Sequence, residues 1–171
     1  MSTLIAYASK HGCTKRCAEK LAQRLDEKVD MYNLKSGKPL DIEPYNKVII
    51  GSSVYVGKVH KEATAFCTKN LEKLGNKKVG LFICGSQEGE ALKQELNTAF
   101  SQELQSKAVA IECFGGEYVF GKMGFMEKTI VKMIAKKIKD TSTIKDDKIE
   151  SFAQIMKNAL SINCILGGAV L

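Results

Sequence analysis

Thr3-Leu4-Ile5-Ala6-Tyr7-Ala8-Ser9-Lys10-His11-Gly12-Cys13-Thr14 decides how this chain is read. Leu4 to Ala8 is a short apolar run of the kind that fills a strand buried on both faces. From Thr14 to Lys28 the period changes. Ala18, Leu21, Ala22 and Leu25 recur at i, i+3, i+4 and i+7, which predicts an amphipathic helix. Between strand and helix lies a turn with one glycine, Gly12, flanked by the hydroxyls of Ser9 and Thr14. Such a turn aims backbone N–H groups and the positive end of the helix dipole at one point, which suits a phosphate. Lys10 and Lys15 add charge, and Gly12 permits close approach or a positive φ. The plainer reading is an ordinary capped helix start, with Thr14 near the N-cap. The turn lacks the Gly-Lys-Ser/Thr ending of a triphosphate loop and the three glycines of a dinucleotide loop. A mononucleotide is therefore the better fit.

Working outward, the two periods keep alternating. Val29–Leu34, Lys47–Gly51, Val79–Cys84 and Ala108–Phe114 read as further strands. Helices are expected at about 60–74, 88–104, 125–139 and 147–160, and Lys35–Tyr45, with both prolines, reads as a connection. This pattern predicts an α/β fold: a three-layer, doubly wound, five-stranded parallel sheet in the order 2-1-3-4-5. In such a sheet ligands bind beyond the carboxyl ends of the strands, where the strand order reverses. The loops expected there are Ser52, Ser53, Val54, Tyr55, Val56 and Gly57 after the third strand; Gly85, Ser86, Gln87 and Gly89 after the fourth; and Gly115, Gly116, Glu117 and Tyr118 after the fifth. Tyr55 is suited to stacking on a flat ring and Ser52 to bonding its edge. An exposed loop tyrosine is the commoner alternative.

The 171 residues are 44% hydrophobic and 26% charged, which is ordinary for one globular domain. That domain is placed at 1–160, with an uncharged tail at 161–171. No uncharged apolar run is long enough to span a bilayer. Met1-Ser2-Thr3 leads straight into the first strand without the pattern of a secretory leader, so reduced thiols and a cytoplasmic location are expected. Of the six cysteines, Cys84 and Cys113 read as small core residues. The C-x3-C spacing of Cys13 and Cys17 is not the C-x2-C pair of a zinc site, and no metal is expected. Ser9-Lys10 and Ser52-Ser53 stand where a phosphorylated receiver domain needs acidic residues, and G-x-S-x-G is absent. His11 and His60 read as a loop residue beside the phosphate and a helix-start residue rather than as catalytic bases. The net charge is +7, of which +5 falls within residues 122–139. A basic amphipathic helix can lie on an anionic membrane surface or steer an anionic substrate. Its plainer role is to pack Phe125, Met126, Ile130, Val131, Ile134 and Ile138 on the sheet and leave the lysines in solvent. No nucleic-acid partner is expected.

Ser9–Thr14 and Ser52–Lys58 are similar to the phosphate loop and the aromatic-bearing loop of the flavodoxin-like FMN proteins. More narrowly, Thr3–Thr14, Tyr45–His60 and Phe114–Lys139 resemble the menaquinone-dependent protoporphyrinogen oxidase family, flavodoxin-type enzymes of haem synthesis. The resemblance spans about residues 3–159 and implies a flavodoxin-like fold with non-covalent FMN. It implies that the phosphate lies on Ser9, Lys10, His11, Gly12, Cys13 and Thr14, with the ring between the Ser52–Gly57, Gly85–Gly89 and Gly115–Tyr118 loops. It further implies a reduced organic substrate such as a porphyrinogen and a quinone acceptor at the membrane; the basic helix separately suggests peripheral membrane contact through 120–139. Two departures bear on the substrate rather than on the flavin. His11 precedes Gly12 where Thr or Asp is common, and Cys84–Glu90 offers few charges to a propionate. A one-electron carrier with the same flavin and a non-enzymatic binding module are the alternatives.

Overall fold

The computed structural model describes residues 2–55, 57–118, 124–126, 128–129, 133 and 141–159. Its strands are β1 (Ser2–Ala8), β2 (Lys28–Asn33), β3 (Lys47–Tyr55), β4 (Lys58–Val59), β5 (Lys78–Cys84), β6 (Ala108–Cys113), β7 (Glu117–Tyr118) and β8 (Thr141–Ser142). Its helices are α1 (Cys13–Ala22), α2 (Lys61–Lys69), α3 (Leu71–Gly75), α4 (Gly89–Ala99), α5 (Gln102–Lys107) and α6 (Asp146–Asn158). The parallel strands lie in the order β2-β1-β3-β5-β6, with β4 paired antiparallel to β3. Counting parallel strands alone, that is the expected 2-1-3-4-5.

The strand period decides which side chain enters which layer. Ile5, Tyr7, Ile49 and Phe82 face one side and meet Cys17, Ala18 and Leu21 of α1 and Ile149, Phe152 and Met156 of α6. Leu4, Ala6, Val48, Ile50, Leu81 and Ile83 face the other side and meet Phe66, Leu74, Ala99 and Leu104 of α2 to α5. Both faces are covered, so the strands carry continuous apolar runs.

Several boundaries differ from the sequence reading, each for a local reason. The third strand runs on through Ser52–Tyr55, because Val54 and Tyr55 favour extended backbone and Gly57 (φ +68°) closes a hairpin onto β4. The helix expected at 60–74 breaks at Asn70, whose side-chain amide donates to the Phe66 carbonyl at 2.9 Å. The helix expected at 88–104 breaks where Phe100 turns extended, and Ser101 restarts it by accepting from the Leu104 N–H at 3.3 Å. α1 ends at Ala22, ahead of the expected Lys28, which instead opens β2 opposite Ser2.

Of the helix expected at 125–139, Phe125, Met126, Lys128, Thr129 and Met133 are described and helical. Phe125 and Met126 are 87% and 77% exposed, so these two do not pack on the sheet. The remainder of that segment, and the expected tail at 161–171, lie outside the described residues. No helix among the described residues is long and apolar enough to cross a membrane.

Candidate functional site

The cleft lies beyond the carboxyl ends of β1, β3, β5 and β6, where a doubly wound sheet places its ligands. It is lined by Ser9, Lys10, His11, Cys13, Ser53, Val54, Cys84, Gly85, Ser86, Gly116 and Glu117. Residues from all four loops named in the sequence therefore converge on one space.

The floor of the cleft is the entry to α1. The N-cap is Gly12 rather than Thr14, and its φ of +93° is the left-handed conformation that glycine adopts without a Cβ clash. This bend swings the chain from strand into helix within a few residues. The Gly12 N–H donates to Ser9 Oγ at 3.1 Å, which uses one loop amide inside the turn. No side-chain hydrogen bond caps α1 at Gly12. The first amides of a helix have no intrahelical acceptor, so those of α1 remain directed toward the cleft floor.

Thr14 is fully buried, and its Oγ1 has no hydrogen-bond partner in the structure. An orphaned buried hydroxyl costs about 1–3 kcal/mol unless a ligand completes it. Ser53, on the opposite side, also holds a buried Oγ without a partner. The Thr14 hydroxyl just behind the cleft lining, the open N-terminus of α1 and Lys10 on the cleft wall are donors of the kind a phosphomonoester takes. The residues present fit that group.

The other expected residues divide into four sets. Ser52 is buried, but its Oγ accepts from the His60 N–H at 3.3 Å and donates to the Ser53 carbonyl at 3.2 Å. It therefore ties the β3–β4 hairpin to the start of α2 and does not line the cleft, because the strand alternates and Ser53 takes that place. Gly57 and Gln87 lie in exposed loops around the cleft, and Gly89 is the exposed first residue of α4. Gly115 (φ +80°) packs where a Cβ would meet the Thr143 carbonyl oxygen at 1.9 Å. Val56 and the side chains of Tyr55 and Tyr118 lie outside the described residues.

The fold adds residues that spacing did not reveal. Arg16 of α1 forms an ion pair with Glu117 of β7 and so joins the first helix to the last loop. Cys84 lines the cleft rather than only filling the core. Its thiol joins those of Cys13 and Cys17, with all three sulfurs within 4.8 Å of one another. Hydrogen bonds from Cys17 and Cys84, with Arg16 nearby, hold the Cys13 thiol down to about 4 against the effect of burial. The same hydrogen bonding to Cys13 pushes Cys17 up to about 12 and raises Cys84 well above the usual thiol range.

His60 is the N-cap residue of α2, as a helix-start residue should be. Burial, then the charge of Lys35, holds its imidazole below its ordinary value, with Lys10 and His11 acting in the same sense. Glu95 of α4 is buried beneath Gly85, and its Oε2 has no partner. Burial raises its carboxyl above the usual carboxylate range.

This fold and cleft define a class. The chain belongs to the flavodoxin domain family, whose profile matches residues 4–145. It is 30% identical over 125 residues to the uncharacterised protein MJ0298 of Methanocaldococcus jannaschii, covering 71% of this chain and 79% of that one. Among solved structures it is similar to flavodoxin 2 of Bacillus cereus, with a TM-score of 0.58 and 24% identity over 91% of this chain and 97% of that chain. It is also similar to a flavodoxin from the domain Archaea, with a TM-score of 0.56 and 13% identity over 92% and 100%. A flavo di-iron protein of Thermotoga maritima matches at a TM-score of 0.56 and 15% identity, with 91% of this chain covering 35% of that one.

Proposed function

We propose that this protein binds FMN in the cleft and acts as an FMN-dependent oxidoreductase on a reduced, anionic organic substrate, with a quinone as acceptor. The observation that carries the flavin reading is the buried, partnerless Thr14 hydroxyl at the open N-terminus of α1. Membership of the flavodoxin domain family supports it, as does the likeness in fold to a Fusobacterium nucleatum flavodoxin bound to flavin mononucleotide (TM-score 0.50, 17% identity over 93% of this chain and 97% of that chain). Bound FMN supplies hydride and single-electron transfer; the protein positions it and sets its surroundings.

The chain's own residues divide the work. Thr14, Ser9 and the first amides of α1 hold the phosphate, and Lys10 supplies positive charge. Ser53 Oγ and the Gly85 and Gly116 backbone border the ring. The Arg16–Glu117 ion pair fixes the last loop against α1.

An anionic substrate is favoured by where the basic segment is anchored. Residues 119–140 run between β7 and β8, which pair with each other at the cleft. Thr143 locks this base: its N–H donates to the Gly116 carbonyl at 2.8 Å, and its Oγ1 accepts from the Gly116 N–H at 3.2 Å. A segment rich in lysine is thus attached at both ends to strands beside Gly116 and Glu117, and its charge favours an anionic substrate. A porphyrinogen, with its propionates, is the substrate to test first, and peripheral contact with anionic lipid follows from the same lysines.

The test is an absorption spectrum of the purified protein, then anaerobic reduction by porphyrinogen and reoxidation by a menaquinone analogue. A yellow protein reduced by porphyrinogen supports the full reading. A yellow protein inert to porphyrinogen, but reduced in two separated one-electron steps, is instead an electron carrier. A colourless protein that takes up no added FMN is neither.

A further inference from the structure

We propose that Cys13, Cys17 and Cys84 form a binding site for a thiophilic d10 cation, Cu(I) or Zn(II), directly beneath the phosphate turn. Cys13 is the first residue of α1, Cys17 lies one turn on, and Cys84 ends β5. All three side chains are buried, at 8%, 0% and 3% exposure, and their sulfurs lie within 4.8 Å of one another. Three thiols from two elements on one point is an unusual use of core volume, because an alanine or valine would fill it without polar sulfur.

The geometry suits a metal. A cation about 2.3 Å from each of three coplanar sulfurs holds them about 4 Å apart, within the observed span. Thiolate donors select soft ions such as Cu(I) and Zn(II) over Mg(II) or Ca(II). Surrounding charge lowers the cost of the thiolates: the N-terminus of α1 points at Cys13, and the Arg16 guanidinium is close. Cu(I) is satisfied by three sulfurs in a plane. Zn(II) takes a fourth ligand, and Cys13 and Cys84 both border the cleft, from which water can reach that position. Binding forms three metal–sulfur bonds and releases the thiol protons to solvent, and no electron changes hands. The site does not depend on the flavin reading.

The test uses the full-length protein, reduced and freed of metal by a chelator. It is titrated anaerobically with Cu(I) against a chromophoric Cu(I) chelator, and separately with Zn(II) against a chromophoric zinc chelator. The proposal expects one equivalent of at least one cation to be withheld, with three sulfurs in its shell by X-ray absorption. A three-sulfur shell alone identifies Cu(I), and three sulfurs with one oxygen or nitrogen identifies Zn(II). Cys17→Ala and Cys84→Ala should each weaken uptake at least tenfold. Since either variant could unfold, the wild-type protein gives a second readout. Bound cation should slow alkylation of Cys13, Cys17 and Cys84 together while leaving Cys67 and Cys113 unchanged. No withheld cation, or equal labelling with and without it, overturns the site. FMN uptake on the same samples reports on the flavin separately.

Discussion

Thr14 is a residue whose cost to the free protein is its value to the complex. Its buried hydroxyl has no partner, so removing it should relieve the free protein and harm phosphate binding. Thr14→Val is expected to leave the flavin-free protein equally stable or up to about 1 kcal/mol more stable in urea melts. It should weaken FMN binding about 10- to 100-fold by flavin fluorescence titration, as expected for a lost hydrogen bond to a charged group. Riboflavin, which lacks the phosphate, should bind both forms alike. Equal FMN affinity in the two proteins would place the phosphate elsewhere. Glu95 gives a second residue-scale prediction. Its folded carboxyl holds its proton more tightly than the unfolded one, because it is buried. Its contribution to stability is complete below the unfolded carboxylate range and is lost as pH rises through the folded value. Glu95→Gln should therefore be more stable than wild type at pH 7, by on the order of 1 kcal/mol. The advantage should vanish below about pH 3, under the unfolded carboxylate range, where both states of wild type are protonated. Denaturant midpoints at the two pH values measure it.

Among the elements, α6 is held by rings more than by charges. Phe82 of β5, Phe114 after β6 and Phe152 of α6 form one aromatic group. Phe82 stacks on Phe114 at 4.6 Å, and Phe152 stands edge-on to Phe114 at 5.3 Å. Lys20 and Arg24 of α1 pair with Asp146 and Glu150 of α6, but these side chains are partly to half exposed, and such pairs are worth little. Phe152→Ala is thus expected to cost about 3–5 kcal/mol, while Asp146→Asn should cost less than about 1 kcal/mol. Comparable losses for the two in chemical denaturation would contradict this ranking. The β7–β8 ribbon rests on a backbone contact instead. Gly115→Ala places a methyl on the Thr143 carbonyl and forbids the +80° φ. The variant should move the Gly116–Glu117 edge of the cleft and reduce FMN affinity more than it lowers stability.

For the molecule as a whole, charge is the property with kinetic consequences. A net +7, of which +5 falls within residues 122–139, is expected under the proposed function to draw anions over distances comparable to the Debye length. Oxidation of the reduced, FMN-loaded protein by an anionic oxidant such as ferricyanide should slow several-fold as ionic strength rises from about 0.02 to 0.5 M. A cationic oxidant should speed up over the same range. Rates independent of salt for both would show that the basic segment does not face the route to the flavin.

What the sequence determined by itself was the alternation of periods, and from it the strand order and the edge of the sheet that carries the cleft. Buried parallel strands and amphipathic helices need different spacings of apolar residues, and those spacings are local. The convergence of Ser9–Cys13, Ser53–Val54, Gly85–Ser86 and Gly116–Glu117 followed from strand order alone. What only the tertiary structure decided was orientation and distant company. Ser52 and Ser53 are equivalent in composition, but the strand's alternation sends one into the hairpin and the other to the cleft. Cys84 lies far along the chain from Cys13 and Cys17, so no spacing rule joins them, and only the packing of α1 against the end of β5 does. By pattern alone Thr14 reads equally as a phosphate donor or as a residue near the helix cap; in the fold Gly12 takes the cap and the Thr14 hydroxyl is buried with nothing to bond. Such facts depend on which atoms surround a group in three dimensions, and a one-dimensional pattern does not encode them.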